Sequence, residues 1–113
     1  MGNINKKLRD QIMRELGHQE RLLGTEYIRT GLDIYHRGIG ITKELYPAIA
    51  RAHNTTPSRV ERAIRHSISA AWSSSSGEAA ARIFADDMNG GWPDNSEYFA
   101  VMARLLHEAE SAE

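Results

Sequence analysis

Residues 45–72 read LYPAIARAHNTTPSRVERAIRHSISAAW and carry the strongest structural signals in the chain. Thr56 can cap a helix through its hydroxyl group, and Pro57 suits the first helical position, where the missing N–H group costs nothing. From there one face repeats small or apolar residues at helical spacing, apart from one serine: Val60, Ala63, Ile64, Ser67, Ile68 and Ala71. The pattern predicts a long amphipathic helix that ends near Trp72.

The opposite face of this predicted helix is cationic. At about 100° per residue, the side chains on that arc are polar or charged: Ser58, Arg59, Arg62, Arg65, His66 and Ser69. The formal net charge of the chain is only −1, so these cations are concentrated locally. The spacing predicts that they lie on the face that the helix does not bury.

A second helix precedes this one. The segment ITKELYPAIARAH predicts a helix with Leu45, Ile49 and Ala52 facing inward. Pro47 belongs in its first turn, because further along it would remove a hydrogen bond and clash with the preceding turn. With the turn through HNTT, the two helices predict a helix-turn-helix over about residues 43–72.

The sequence pattern also predicts helices in the N-terminal part of the chain. Apolar residues recur every four positions over residues 4–16 and stop at Gly17, which predicts a first helix. A second helix is predicted after Gly24, closing near Gly38. Strand signals are nearly absent from the whole chain.

The C-terminal part predicts two more helices. Ser75 with Glu78, and Asp94 with Glu97, have the spacing of helix capping boxes. The fold class predicted is therefore all-α, with about six helices that contain the helix-turn-helix. At this length we expect one domain over residues 1–113.

Composition excludes several classes of function. The chain has no cysteine, which excludes disulfides and thiolate metal sites. Its five histidines are scattered without metal-ligand spacing, and no nucleophile motif or glycine-rich phosphate loop occurs. We therefore expect no catalytic residue, no metal and no cofactor. No apolar run approaches the roughly 20 residues that span a bilayer, so we expect a soluble, cytoplasmic protein without membrane contact.

Charge is unevenly distributed along the chain. Residues 37–77 hold six basic and two acidic residues, whereas residues 78–113 hold two basic and eight acidic residues. A cationic middle with an anionic end indicates a localised anion-binding face. The major groove of B-DNA admits one helix, arginine matches the two acceptors of guanine, and a carboxylate can accept from cytosine. An ordinary solvated face and a protein-docking face remain alternatives to DNA binding.

At these residues the chain resembles a known family. The family pattern L-Y-P-x-I-A, then N-T-T-x-S-R-V-E-R-A-I-R-H-x-I, then A-W is met within residues 45–72. It is the signature of the C-terminal effector domain of the sporulation master response regulator, the stage-zero sporulation protein A family. Weaker similarity in GTEYIRTGLDIY and PDNSEYFAVMA extends the resemblance over most of residues 22–106.

The resemblance implies a six-helix domain that binds double-stranded DNA at a short sporulation-control box and regulates transcription. It also implies head-to-tail pairing on tandem sites and contact with RNA polymerase sigma factor. Arg59, Glu61 and Arg62 match the base-reading positions of the recognition helix. The residues from which we expect backbone or subsidiary DNA contacts are Lys43, Thr56, Ser58, Arg65 and His66.

Several features of this chain differ from the family pattern, among them a shorter loop HRGIGITK and Ser73 to Ser76 in place of the Arg-Gly that often follows the tryptophan. The stretch before PDNSEYF, which typically carries lysines, reads DDMNGGW here. Residues 1–41 lack the strand pattern and acidic pocket of a phosphoacceptor receiver, so we expect no receiver domain within this chain. The acidic last segment motivates an alternative reading, in which a receiver-less helical module keeps the fold but binds a protein partner.

Overall fold

The described part of the chain forms six α-helices and one short π-helical turn. The computed structural model describes residues 5–74, 78–84 and 91–111. The helices are α1 (Lys6–Leu16), α2 (Leu23–Ile34), α3 (Tyr46–His53), α4 (Pro57–Ser74), α5 (Glu78–Phe84) and α6 (Asn95–Ser111). The π-helical turn spans Ile41–Leu45 and leads directly into α3. No strand occurs in these described ranges, and the predicted all-α class is confirmed.

The first helix ends where the sequence predicts. The side chain of Asn5 accepts a hydrogen bond from the backbone N–H of Leu8 at 3.0 Å, which caps the N-terminus of α1. Gly17 ends the helix with φ of 96°, in the left-handed region that glycine adopts without a Cβ clash. Of the predicted apolar positions, Ile12 and Leu16 are buried, and Ile4 lies outside the described residues.

Helix α3 differs from the sequence prediction in two ways. It begins at Tyr46 rather than near Ile41, because the preceding residues form the π-helical turn, in which Leu45 N–H donates to the carbonyl of Gly40 at 2.9 Å. Pro47 accordingly lies in the first turn, as predicted. The prediction that Ala52 faces inward was wrong: Ala52 is exposed.

Helix α4 is central to the core. Its predicted stripe is buried, with Val60, Ile64, Ser67, Ile68 and Ala71 fully inaccessible and Ala63 half-buried. It packs against both α2 and α3. Close approach to α2 occurs at Gly24, which lies against the backbone of Ala63. The buried stripe therefore fixes which face of α4 meets solvent.

Aromatic side chains join the end of α4 to the last two helices. Trp72 is half-buried and meets Phe84 edge to face, with ring centroids 5.2 Å apart.

Asp94 and Glu97 form the predicted reciprocal cap of α6: Glu97 N–H donates to Asp94 Oδ1 at 2.8 Å, and Asp94 N–H donates to Glu97 Oε1 at 3.3 Å. The other predicted capping box includes Ser75, which lies outside the described residues.

Candidate nucleic-acid interface

The exposed face of α4 carries the predicted cations. Arg59, Arg62, Arg65 and His66 are all exposed, on the arc opposite the buried stripe. They lie on the N-terminal half of a helix whose first turn is free of acidic side chains. The first half of α4 therefore presents a positively charged surface to solvent.

A short connection orients this surface. Residues 54–56 join α3 to α4, and Asn54 adopts the left-handed conformation with φ of 56°. The N–H of Thr55 donates to the carbonyl of Ala50 at 2.9 Å, which closes the end of α3. Thr56 Oγ1 then accepts from the N–H of Arg59 at 3.3 Å, as the sequence predicts for a cap, and Pro57 is the first helical residue. These local bonds fix where α4 begins relative to α3.

Arg59 and Arg62 share one side of α4. They line a groove of about 400 Å³, here called the cationic groove. Its walls come from α2, the turn and α4, namely Leu23, Tyr27, Thr55, Arg59, Arg62 and His66. Neither Arg59 nor Arg62 forms an ion pair with any described residue. Both guanidinium groups are therefore available to an external anion.

Glu61 lies on the other side of α4, together with Arg65. Arg65 Nη1 and Glu61 Oε2 are 3.3 Å apart, an i, i+4 ion pair that is substantially exposed. The pair borders a second groove, here called the Trp92 groove, which is also lined by Tyr46, Trp92 and Asp94. An exposed pair of this kind contributes about 0.3–0.5 kcal/mol, so either partner can exchange it for a better contact.

The remaining predicted contacts are exposed but are not all gathered at one groove. Thr56 and Ser58 are exposed at the start of α4. His66 lines the cationic groove. Lys43 is exposed on the π-helical turn and lines neither of the two grooves. The structure therefore brings Arg59, Arg62 and His66 together, places Glu61 with Arg65, and leaves Lys43 apart.

A buried amide supports α4 from behind. Asn95, at the start of α6, donates from Nδ2 to the hydroxyl oxygen of Tyr46 at 3.0 Å and to the backbone carbonyl of Glu61 at 3.1 Å. Burial raises the pKa of Tyr46, an effect that the Asn95 hydrogen bond partly opposes. One side chain thus joins α3, α4 and α6 at the position of a predicted base-reading residue.

A second buried polar chain crosses the core beneath α4. Thr25 Oγ1 donates to the carbonyl of Gln19 at 2.7 Å, so it must accept from Ser67 Oγ, which lies 3.0 Å away. Ser67 then accepts from His18 Nδ1 at 2.9 Å, and the other ring nitrogen, Nε2, accepts from Tyr98 Oη at 2.8 Å. Each donor has one acceptor only if His18 is neutral and carries its proton on Nδ1. Burial, with a smaller effect from the charge of Arg29, lowers the pKa of His18 to about 4.

Two arginines of the N-terminal region, Arg9 and Arg29, are held in ion pairs. Arg9 is buried and contacts Asp33 at 2.8 Å and Asp10 at 2.9 Å. Arg29 contacts Asp10, Glu20 and Glu26. Burial raises the pKa of Asp10, but hydrogen bonds from Arg9 and Arg29 outweigh that effect and hold it below its usual value. These arginines join α1 to α2, in contrast to Arg59 and Arg62 of α4, which form no ion pair with a described residue.

The sequence was compared with models of known protein families, and one of them matches most of the chain. The model described as sporulation initiation factor Spo0A C terminal matches residues 10–106. The chain belongs to the Spo0A C-terminal family. Its members are DNA-binding effector domains of sporulation response regulators, a family of regulators rather than of enzymes. The resemblance read from residues 45–72 is therefore confirmed at the level of the family.

Several residues that shape the interface of this Spo0A C-terminal domain were not identified from the sequence. His18, Asn95 and Leu23 each meet α4 from a distant part of the chain, and none forms part of a local motif. A capping signal at Asp94 was visible in the sequence, but it does not reveal that the next residue turns its amide toward Glu61. No three His, Asp or Glu side chains converge as a metal site within the described ranges. No helix in those ranges is both long and apolar enough to cross a membrane.

Proposed function

We propose that this chain is a sequence-specific, double-stranded DNA-binding domain of a transcription regulator, with α3 and α4 acting as its helix-turn-helix. In this proposal α4 enters the major groove as the recognition helix. The observation that carries it is the pair of exposed arginines, Arg59 and Arg62, which have no ion pair with any described residue and face away from the buried stripe. Unpaired guanidinium groups on the first turns of a helix suit both guanine edges and phosphates.

The positions on α4 support the base-reading roles that the family resemblance implies for Arg59, Glu61 and Arg62. Arg62 lies near the middle of the exposed arc, with Arg59 toward one edge and Glu61 toward the other. The two arginines match the paired acceptors of guanine, and Glu61, once released from Arg65, matches the amino group of cytosine. Backbone or subsidiary contacts are assigned to Lys43, Thr56, Ser58, Arg65 and His66.

The proposal extends to the partners that the family resemblance implies. Residues 1–113 act as a single effector domain, two copies pair head to tail on tandem sites, and a bound copy contacts RNA polymerase sigma factor. The family match over residues 10–106 and the shared core of the described helices support a single unit. Among these partners, DNA is the one that the exposed positive charge of α4 complements.

A mobility-shift assay tests the proposal. The full chain is titrated into a duplex that carries a sporulation-type control box and, in parallel, into a scrambled duplex of the same composition. We expect tighter binding to the box and a steep loss of affinity with added salt, because phosphate contacts release counterions. Equal shifts on both duplexes, or no shift at all, would favour the alternative of a protein-interaction module.

A further inference from the structure

Two large apolar side chains are exposed in the described ranges, and they flank α4. Leu23 is 68% exposed and lines the cationic groove, while Trp92 is 51% exposed and lines the groove on the other side of α4. An exposed leucine is common on protein surfaces. Leu23 differs in that it lies beside Arg59, Arg62 and His66, so a partner that binds these side chains also meets Leu23.

Charge distinguishes the two grooves as surfaces for DNA. The cationic groove carries Arg59, Arg62 and His66, and no acidic side chain from the described ranges lines it. The Trp92 groove instead includes two carboxylates, of Glu61 and Asp94, against the single guanidinium group of Arg65, which is paired with Glu61. A polyanionic duplex therefore complements the side of α4 on which Leu23 lies.

Leu23 is held rigidly beside α4. It is the first residue of α2, and the next residue, Gly24, lies against the backbone of Ala63. Thr25 is tied to Ser67 of α4 by the 3.0 Å hydrogen bond between their hydroxyl groups. Because consecutive residues of α2 are fixed to α4, the position of Leu23 relative to Arg62 is set before any partner binds. Little conformational entropy of the backbone is lost when Leu23 meets a ligand.

The major groove offers one apolar group to such a side chain. Base edges there are hydrogen-bond donors and acceptors, except for the 5-methyl group of thymine. We propose that Leu23 is a specificity-determining residue that packs against a thymine 5-methyl group next to the bases contacted by α4. The inference rests on the proposed function and adds apolar readout from α2 to polar readout from α4.

Replacing thymine with deoxyuridine provides the test, because it removes only the methyl group. The full chain first selects a high-affinity duplex from a randomised pool. Each thymine of that duplex is then replaced singly by deoxyuridine, and affinities are measured for the wild-type chain and for Leu23→Ala. One replacement should weaken wild-type binding about fourfold, the value for burial of a single methyl group. Leu23→Ala should bind the thymine duplex about as weakly and should be indifferent to that replacement.

Two variants serve as controls. Leu23→Met keeps an apolar side chain and should retain sensitivity to the methyl group. Trp92→Ala removes the exposed apolar side chain on the opposite side of α4 and should leave the sensitivity unchanged. Thermal unfolding of each variant checks that the fold is intact.

The possible failures can be told apart. If Leu23→Ala weakens binding equally on the thymine and deoxyuridine duplexes, or changes nothing, the inference is overturned and the proposed function stands. A selected duplex without any methyl-sensitive thymine overturns it in the same way. If the wild-type chain selects no duplex, the proposed function fails, and the inference fails with it.

Discussion

Gly24 lies directly against the backbone carbonyl of Ala63. A Cβ atom added at Gly24 would be 2.0 Å from the carbonyl oxygen of Ala63 and 2.6 Å from its carbonyl carbon. Backbone atoms in the middle of a helix cannot move aside as a flexible side chain can. The close crossing of α2 over α4, and with it the position of the first turn of α2 beside the cationic groove, depends on the absence of a side chain at this residue.

Gly24→Ala should therefore destabilise the fold, although alanine is the better helix former. Overpacking of this kind costs about 3 kcal/mol, and we expect a corresponding fall in the free energy of unfolding measured by urea denaturation. Gly91→Ala is the matched control, because a Cβ atom there meets nothing within 4 Å. The control should change stability by less than about 0.5 kcal/mol. Equal stabilities for the two variants would contradict the close crossing.

His18 should make stability depend on pH. Its folded-state pKa of about 4 lies below the unfolded value of 6.5, so the unfolded chain binds more protons between these values. The stability it contributes is fully present above pH 6.5 and is lost as the pH falls toward 4. Between pH 7 and pH 5 we expect a loss of about 2 kcal/mol in the free energy of unfolding.

His18→Gln should flatten this pH dependence while lowering stability at pH 7, because it breaks the chain through Ser67 and Tyr98. His107→Gln removes an exposed histidine instead and should keep the wild-type slope. Urea denaturation at a series of pH values compares the three proteins. A wild-type slope in His18→Gln would show that another group titrates.

Arg62→Ala should lose affinity selectively on the correct DNA box. Arg62 lies near the middle of the exposed arc of α4, and a bidentate contact to guanine is worth roughly 1–3 kcal/mol of discrimination. Mobility shifts on the box and on a scrambled duplex measure the selectivity. Arg104→Ala, an exposed arginine of α6, removes the same charge and should leave the ratio of the two affinities unchanged. A uniform loss on every sequence would mean that Arg62 contacts only phosphate.

Asn95 should contribute to stability by joining three helices. Asn95→Ala leaves the carbonyl of Glu61 without its side-chain donor and Tyr46 without a partner, and we expect a loss of about 2 kcal/mol. In a double-mutant cycle with Tyr46→Phe, the coupling energy should be about 1 kcal/mol. Ser96→Ala, at the exposed neighbouring residue, is the control. Additive effects of the two substitutions would argue against the bond from Asn95 to Tyr46.

The features of the interface that could be predicted are those that depend on the sequence pattern within one helix. The cap at Thr56, the start of α4 at Pro57 and the exposure of Arg59 and Arg62 all follow from spacing along one helix. The inward position of Ala52 was wrong, because the buried face of α3 is formed by Tyr46, Ile49 and Ala50, and Ala52 falls outside that arc of the helix. The sequence did not predict that Arg59 and Arg62 line one groove and Glu61 another, because the two grooves are formed by different segments that pack on either side of α4.

The amino-acid sequence by itself determined that these segments are helical, the caps at Thr56 and Asp94 and the cationic face of α4, because hydrogen bonds within a helix join residues only four positions apart. Tertiary structure alone decided which distant side chains meet that helix. Asn95 reaches Glu61 across 34 positions, and His18 bonds to Ser67 and Tyr98 across 49 and 80. Such pairs arise only when buried faces pack together, so no period within a single segment encodes them.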